Sequence, residues 1–246
     1  MYVDFHSHFD FYKDDELEVM INDVDKNNIK VVACSMDLKS YDKNIKIAKM
    51  SKNIIPIFGV HPWSVKSNLD DLSLYDDLVK ETKIIGEVGL DFYWVKEKET
   101  YKNQIEVFRY FLKNSKKYDK FLNIHTKGAE EIIYNLLKEY DVLDKSIIHW
   151  YSGDIDILNK FIDAKCYFTV SVDLNYSEKS REVLKYIPLD KLLAETDGPT
   201  ALEWVNGVYG KPSEIINVYE NIAKIKNMDK SYIKEIINKN SFDILK

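Results

Sequence analysis

Cysteine is nearly absent: two residues in 246, Cys34 and Cys166, each inside an apolar run. That argues against a disulfide scaffold or a cysteine-built zinc site. It leaves two reduced core thiols and, by default, a cytoplasmic protein. Long hydrophobic runs are missing too. No apolar stretch approaches the roughly 20 residues of a membrane span, and no basic segment followed by an apolar one opens the chain, so neither a membrane segment nor a secretory leader is expected. Positive charge is in deficit, with 35 Lys and Arg against 41 Asp and Glu, a net charge of -6. This argues against nonspecific coating of nucleic acid. It does not exclude a nucleic-acid active site, because divalent cations and a local lysine patch override the average. Linkers, low-complexity tracts and internal repeats are absent, so residues 1–246 are expected to form one domain. Hydrophobic residues at 45% and charged residues at 31% supply a sizeable core within an ordinary globular composition.

Histidine is scarce as well, at five residues, and its placement is the most informative feature of the chain. His6, His8, His61, His125 and His149 each stand at or near the end of a short apolar run. Those runs predict strands over Met1–Phe5, Ile29–Ser35, Ile54–Val60, Lys83–Val88, Phe121–His125, Ser146–His149, Cys166–Ser171 and Lys191–Ala194. Amphipathic segments separate them, clearest over Thr100–Tyr118, where Ile105, Phe108 and Leu112 recur at helical spacing. Further helices are predicted over Glu16–Asn28, Tyr41–Ser51, Leu72–Glu81, Ala129–Glu139, Ile155–Asp163, Lys179–Tyr186, Ser213–Lys226 and Lys230–Asp243. Strands interleaved with helices imply parallel pairing. Polar residues follow all eight strands, and only a closed barrel gathers all eight C-terminal ends around one mouth. The expected fold class is therefore α/β, a (β/α)8 TIM barrel.

His6 and His8 are two apart on an extended segment and face the same way, able to grip one ion. Glu87 lies in Gly86-Glu87-Val88-Gly89, where flanking glycines let the backbone pass close to a ligand and two carboxylate oxygens can bridge two cations. His125 and His149 end consecutive strands and are barrel neighbours. Asp197, after the eighth strand, lies beside the first, where it can bind metal and take a proton from water. The expected arrangement has one ion on His6, His8, Asp197 and one oxygen of Glu87. The second ion takes the other oxygen with His125 and His149. Asp4, Asp91 and Glu195 are expected to orient those ligands. The nitrogen and oxygen donors suit two divalent ions such as Zn, Mn, Fe or Mg, which can drive an in-line phosphoryl displacement.

These segments, Asp4-Phe5-His6-Ser7-His8, Gly59-Val60-His61-Pro62-Trp63, Gly86-Glu87-Val88-Gly89-Leu90-Asp91, Ile124-His125-Thr126-Lys127, His149-Trp150-Tyr151-Ser152-Gly153 and Glu195-Thr196-Asp197-Gly198-Pro199, resemble in order the motifs of TatD-type metal-dependent deoxyribonucleases of the amidohydrolase superfamily. The resemblance runs to Asn240-Ser241-Phe242 and implies a divalent-metal hydrolase of phosphodiester bonds, often a 3′→5′ exonuclease, with His61 touching substrate phosphate rather than metal. Two arginines usual in the family are replaced: Lys127 stands two residues after His125, and Lys211 precedes Pro212. Lysine keeps the charge but cannot form a bidentate phosphate clamp. His61, Lys127 and Lys211 are the expected phosphate contacts, and Trp63, Trp94 and Tyr151 the candidate stacking surfaces for bases of single-stranded DNA or DNA ends. The changes also fit a divergent branch acting in bacterial defence operons, with partner proteins in a complex. Other readings are an ester or amide hydrolase, for instance on misacylated tRNA, and a noncatalytic subunit of a nucleic-acid-processing complex. Many amidohydrolases bridge their metals with a modified lysine on strand four, where this chain offers Glu87.

Overall fold

In the computed structural model, which describes residues 1–69 and 71–246, eight parallel strands alternate with helices. The strands are β1 (Tyr2–Ser7), β2 (Ile29–Ala33), β3 (Ile54–Pro56), β4 (Ile85–Asp91), β5 (Leu122–Lys127), β6 (Ser146–Ile148), β7 (Tyr167–Val170) and β8 (Leu192–Ala194). Regular pairing runs β1-β2-β3 and β4-β5-β6-β7-β8. Two seams join these arcs. Phe58, just past β3, bridges Ile85 in parallel, and the Gly86 N–H donates to the Phe58 carbonyl at 2.8 Å. At the other seam the Asp197 N–H donates to His6 and the His8 N–H to Gly198, at 2.9 and 2.8 Å. The ring is thus a (β/α)8 barrel, closed at the end that carries the histidines.

The helices are α1 (Leu17–Lys26), α2 (Leu38–Ala48), α3 (Asp76–Glu81), α4 (Tyr101–Tyr118), α5 (Glu130–Glu139), α6 (Ile155–Asp163), α7 (Glu178–Tyr186), α8 (Thr200–Asn206), α9 (Glu214–Lys226) and α10 (Lys230–Leu245). Their apolar faces form the main core against the outside of the strands. A smaller core fills the barrel: Val3, Phe5, Val32, Cys34, Ile57, Ile147 and Leu193 pack with Ile244 and Leu245 of α10. The Lys83 ammonium, ahead of β4, donates to the Leu245 carbonyl, so α10 plugs the end of the barrel away from the histidines.

Several boundaries differ from the sequence pattern for identifiable reasons. Regular β3 pairing ends at Pro56; the Ile57 N–H still donates to the Ala33 carbonyl at 2.9 Å, and Phe58 then pairs with β4. β4 begins later and runs to Asp91, so Glu87 sits inside the strand rather than at its end and Asp91 closes the strand rather than following it. Close approach of β4 to its neighbours requires glycine. A Cβ on Gly89 (φ 151°) would stand 1.9 Å from the His125 carbonyl oxygen, and one on Gly59 would stand 2.5 Å from that of Glu87. α2 starts three residues early because Asp37 and Ser40 form a reciprocal capping box. α8 was not expected at all; its sequence signal is Gly207, in the left-handed conformation that ends it (φ 79°).

Candidate metal centre

The strand register breaks at two places, between Asp4 and Ser7 on β1 and between Ile85 and Val88 on β4. Such irregularities re-aim side chains. Here they leave Phe5 and His6 both pointing into the barrel and bring Glu87 to its axis. All five histidines converge on that one carboxylate. The nearest nitrogen–oxygen separations are 3.0 Å for His125, 3.2 Å for His8, 3.4 Å for His6 and His61, and 3.9 Å for His149.

One side of the cluster already has the dimensions of an ion cage. His6 Nε2 and His8 Nε2 are 3.4 Å apart and lie 3.4 and 3.2 Å from Glu87 Oε2. Both are 3.5 Å from Asp197 Oδ1. A tetrahedral ion with bonds of about 2.0–2.1 Å spaces its ligands about 3.3–3.4 Å apart. Glu87 Oε2 is buried and, among the described residues, accepts no hydrogen bond, a vacancy expected of a ligand atom. The donor set of imidazole and carboxylate therefore fits a divalent cation. Asp197 reaches it from a backbone with φ 45°, a region that Asp tolerates better than most residues.

On the other side, Glu87 Oε1 faces His125 Nδ1, His61 Nε2 and His149 Nε2. The outer nitrogens are committed. His149 Nδ1 is 2.9 Å from Glu195 Oε2, His125 Nε2 is 3.0 Å from Asp91 Oδ2, and His6 Nδ1 is 2.9 Å from Asn123 Oδ1. Each partner can take the outer N–H and leave the inner nitrogen as a metal donor. Asn123 was missed in the sequence, although it stands two residues before His125 on β5 and so shares its inward face. His61 differs. Its Nδ1 accepts the Trp63 backbone N–H at 3.1 Å, so the neutral ring carries its proton on Nε2 and presents a donor to the centre. Burial holds His61 at about 4, keeping it neutral at pH 7.

Asp4 supports the centre from a distance. It accepts from the Thr196 N–H and hydroxyl at 2.9 and 2.6 Å and locks β1 to the turn carrying Asp197. Asp91 accepts from the Trp63 indole (2.7 Å) and from the backbone of Tyr93 and Trp94 as well as from His125. Lys127 lines the mouth and donates to Ser152 at 2.6 Å. Lys211 is exposed and is not among the residues lining the cavity, while its neighbour Gly210 is bonded to Pro199 beyond the Asp197 turn. Tyr151 is a correction too. It is buried against Phe161 and donates to the Asp154 carbonyl, so it offers no stacking face. Instead all four tryptophans, Trp63, Trp94, Trp150 and Trp204, line the cavity of about 680 Å³ above the histidines. Trp150 and Trp204 lie outside the motifs' obvious chemistry; tryptophan scarcity was the available signal.

The charges are set by burial against pairing. Burial opposes ionisation of Glu87, but His61 and His6 override it and hold the carboxyl well below its usual range. Burial depresses His149 to about 3 and raises Glu195 to about 8, so this pair is neutral overall. Burial also works against His125, yet hydrogen bonds to Asp91 and Glu87 hold it up at about 9. Metal binds only the unprotonated ring, so an ion held by His125 would displace this proton at pH 7. Affinity for Zn²⁺ or Mn²⁺ is expected to rise about tenfold per pH unit per displaced proton between pH 7 and 9. Calorimetric titration in buffers of different ionisation enthalpy reads the protons released; a pH-independent affinity would refute this charge assignment. In the metal-free protein the sign is opposite: the stability His125 gains from its carboxylates is complete below 6.5 and is lost as pH rises to about 9.

The family model for TatD related DNase matches residues 3–246. The Methanocaldococcus jannaschii protein MJ1582, named an uncharacterized metal-dependent hydrolase, is 28% identical, covering 100% of this chain and 97% of its own. YabD of Bacillus subtilis, with the same description, is 28% identical over 98% of this chain and 97% of its own. Among solved structures the TatD homolog YJJV of Escherichia coli superimposes with a TM-score of 0.88 at 21% identity, covering 99% of this chain and 97% of its own. A TatD family hydrolase from Entamoeba histolytica gives 0.82 at 20% identity, covering 99% and 97%. Fold, converging ligands and full-length sequence match agree, and the chain belongs to the TatD-related DNase family of metal-dependent hydrolases.

Proposed function

We propose that this hydrolase, with residues 1–246 acting as one domain, cleaves phosphodiester bonds of single-stranded DNA from the 3′ end, using two divalent ions. The observation that carries the reading is the convergence of five histidines and Asp197 around Glu87. His6, His8, Asp197 and Glu87 would hold one ion, and Glu87, His125 and His149 would hold the other. Such ions acidify water and neutralise charge on a phosphodiester. Asp197 takes the proton of the attacking water, whose oxygen bonds to phosphorus as the bond to the preceding nucleotide's 3′-oxygen breaks, releasing a nucleoside 5′-monophosphate. His61 donates its Nε2–H and Lys127 its charge to phosphate oxygens, while the tryptophans take the faces of bases.

The test is release of 5′-mononucleotides from end-labelled single strands by metal-stripped protein resupplied with Mg²⁺, Mn²⁺ or Zn²⁺. Release that disappears in a His6→Ala/His8→Ala variant is the expected result. Protein that binds ions yet releases nothing with any of them refutes the reading and points to ester substrates.

Trp94 and Trp204 are 58% and 63% exposed over the cavity. Replacing either with alanine is expected to raise KM for single strands by about 5- to 150-fold, the range for one lost base stack, and to leave kcat within about twofold. An unchanged KM in both variants removes these rings from substrate binding. Trp63 is unsuited to this test because its indole also holds Asp91.

A further inference from the structure

His8 is the exception in the cluster. The outer nitrogens of His6, His125 and His149 meet Asn123, Asp91 and Glu195, and that of His61 accepts a backbone N–H. His8 Nδ1 is buried and has no hydrogen-bond partner among the described residues. Asp10, in the next turn of chain, is near enough to feel the His8 charge, but its Oδ1 faces the Asn44 amide at 3.5 Å. An imidazole is ordinarily aimed at its ion by a partner on the outer nitrogen. His8 lacks one, yet its Nε2 is held 3.2 Å from Glu87 Oε2, 3.4 Å from His6 Nε2 and 3.5 Å from Asp197 Oδ1. Something other than a hydrogen bond fixes the ring.

Phe11 is placed to do it. A 3-10 turn over Phe9–Phe11 starts directly after His8. The Phe11 N–H donates to the His8 carbonyl at 2.9 Å, and the Tyr209 hydroxyl donates to the Phe11 carbonyl at 3.1 Å. With its backbone tied at both groups, Phe11 lays its ring on the face of the His8 imidazole, centroids 5.0 Å apart and planes 21° apart. That is an offset stack of the favourable kind. The ring borders the cavity and is 41% exposed, so it adds little to the core. We propose that Phe11 is a positioning residue whose stacked ring aims His8 at the ion it would share with His6, Asp197 and Glu87. This rests on the ligand set proposed above and assigns that ion an aromatic support where the other histidines have polar ones.

The experiment titrates metal-stripped wild type, Phe11→Leu and Phe11→Tyr with Mn²⁺ in a calorimeter and records the melting temperature of each stripped protein. Leucine keeps apolar bulk but has no planar face; tyrosine keeps the ring. Phe11→Leu is expected to weaken one of two ions by about tenfold, the low end for loss of a ligand's outer support. Phe11→Tyr should restore that affinity to within about twofold, and the stripped proteins should melt together. Unchanged affinity in Phe11→Leu overturns the proposal, and so does a tyrosine variant as weak as the leucine one. Equal weakening of both ions, with a lower melting temperature, means that Phe11 acts through the fold and also overturns it. Wild type that takes up no ion overturns the ligand set itself, a failure distinct from the others.

Discussion

Glu87→Gln is expected to empty the centre and reduce hydrolysis by about a thousandfold or more. The glutamine has the same outline but loses the charge and exchanges one acceptor oxygen for an amide that points hydrogens at its neighbours. Both oxygens are in use here: Oε2 faces His6 and His8, Oε1 faces His61, His125 and His149. Either orientation of the amide therefore spoils one half of the cluster. Metal analysis after desalting is the direct measurement, with turnover read alongside. The barrel itself should persist, because His8, raised chiefly by Glu87, and His125, raised by Asp91 and Glu87 together, can revert to neutral rings. A variant that retains full ion content and a tenth of wild-type turnover would show that Glu87 bridges nothing.

Asp197→Asn should be nearly as damaging for a different reason. The expected loss is about 10²- to 10⁴-fold in kcat, the usual contribution of a positioned proton acceptor. The fold should survive, as should an ion held by His125 and His149 under the proposed ligand set. Asp197 Oδ1 sits 3.5 Å from both His6 and His8, while Oδ2 is 3.9 Å from His149, so the carboxylate faces both halves of the centre. Burial raises its pKa above the ordinary carboxylate value, which makes it a stronger proton acceptor than a surface aspartate. Turnover above a tenth of wild type in this variant would place the proton acceptor elsewhere.

The barrel and most of its centre were legible because both rest on period. Apolar runs fixed the eight strands, and residues at their ends fell at one mouth. The stretch around Glu87 was less legible: whether β4 ends at Val88 or continues to Asp91 depends on Gly89 fitting beneath the His125 carbonyl, a tertiary contact. Asn123 was readable from its spacing to His125, but nothing local marks an asparagine as the partner of a histidine 117 positions away. Tyr151 failed for the converse reason. It lies in a chemistry-bearing motif, yet the backbone turns it into the core.

The seam between the first and last strands has a consequence for assembly of the enzyme. Asp4 and Thr196 are 192 positions apart in the chain, and the proposed ligands His6 and Asp197 flank their contact. Under the proposed ligand set, ion binding and ring closure are coupled: a chain whose eighth strand is detached offers His6 and His8 without Asp197. By mass action, an ion held at a thousand times its Kd adds about 4 kcal/mol to the closed form over the open one. Metal supply is then expected to govern the lifetime of the protein as well as its turnover, and chelation should expose the β8–α8 turn to proteases before any other part of the barrel opens.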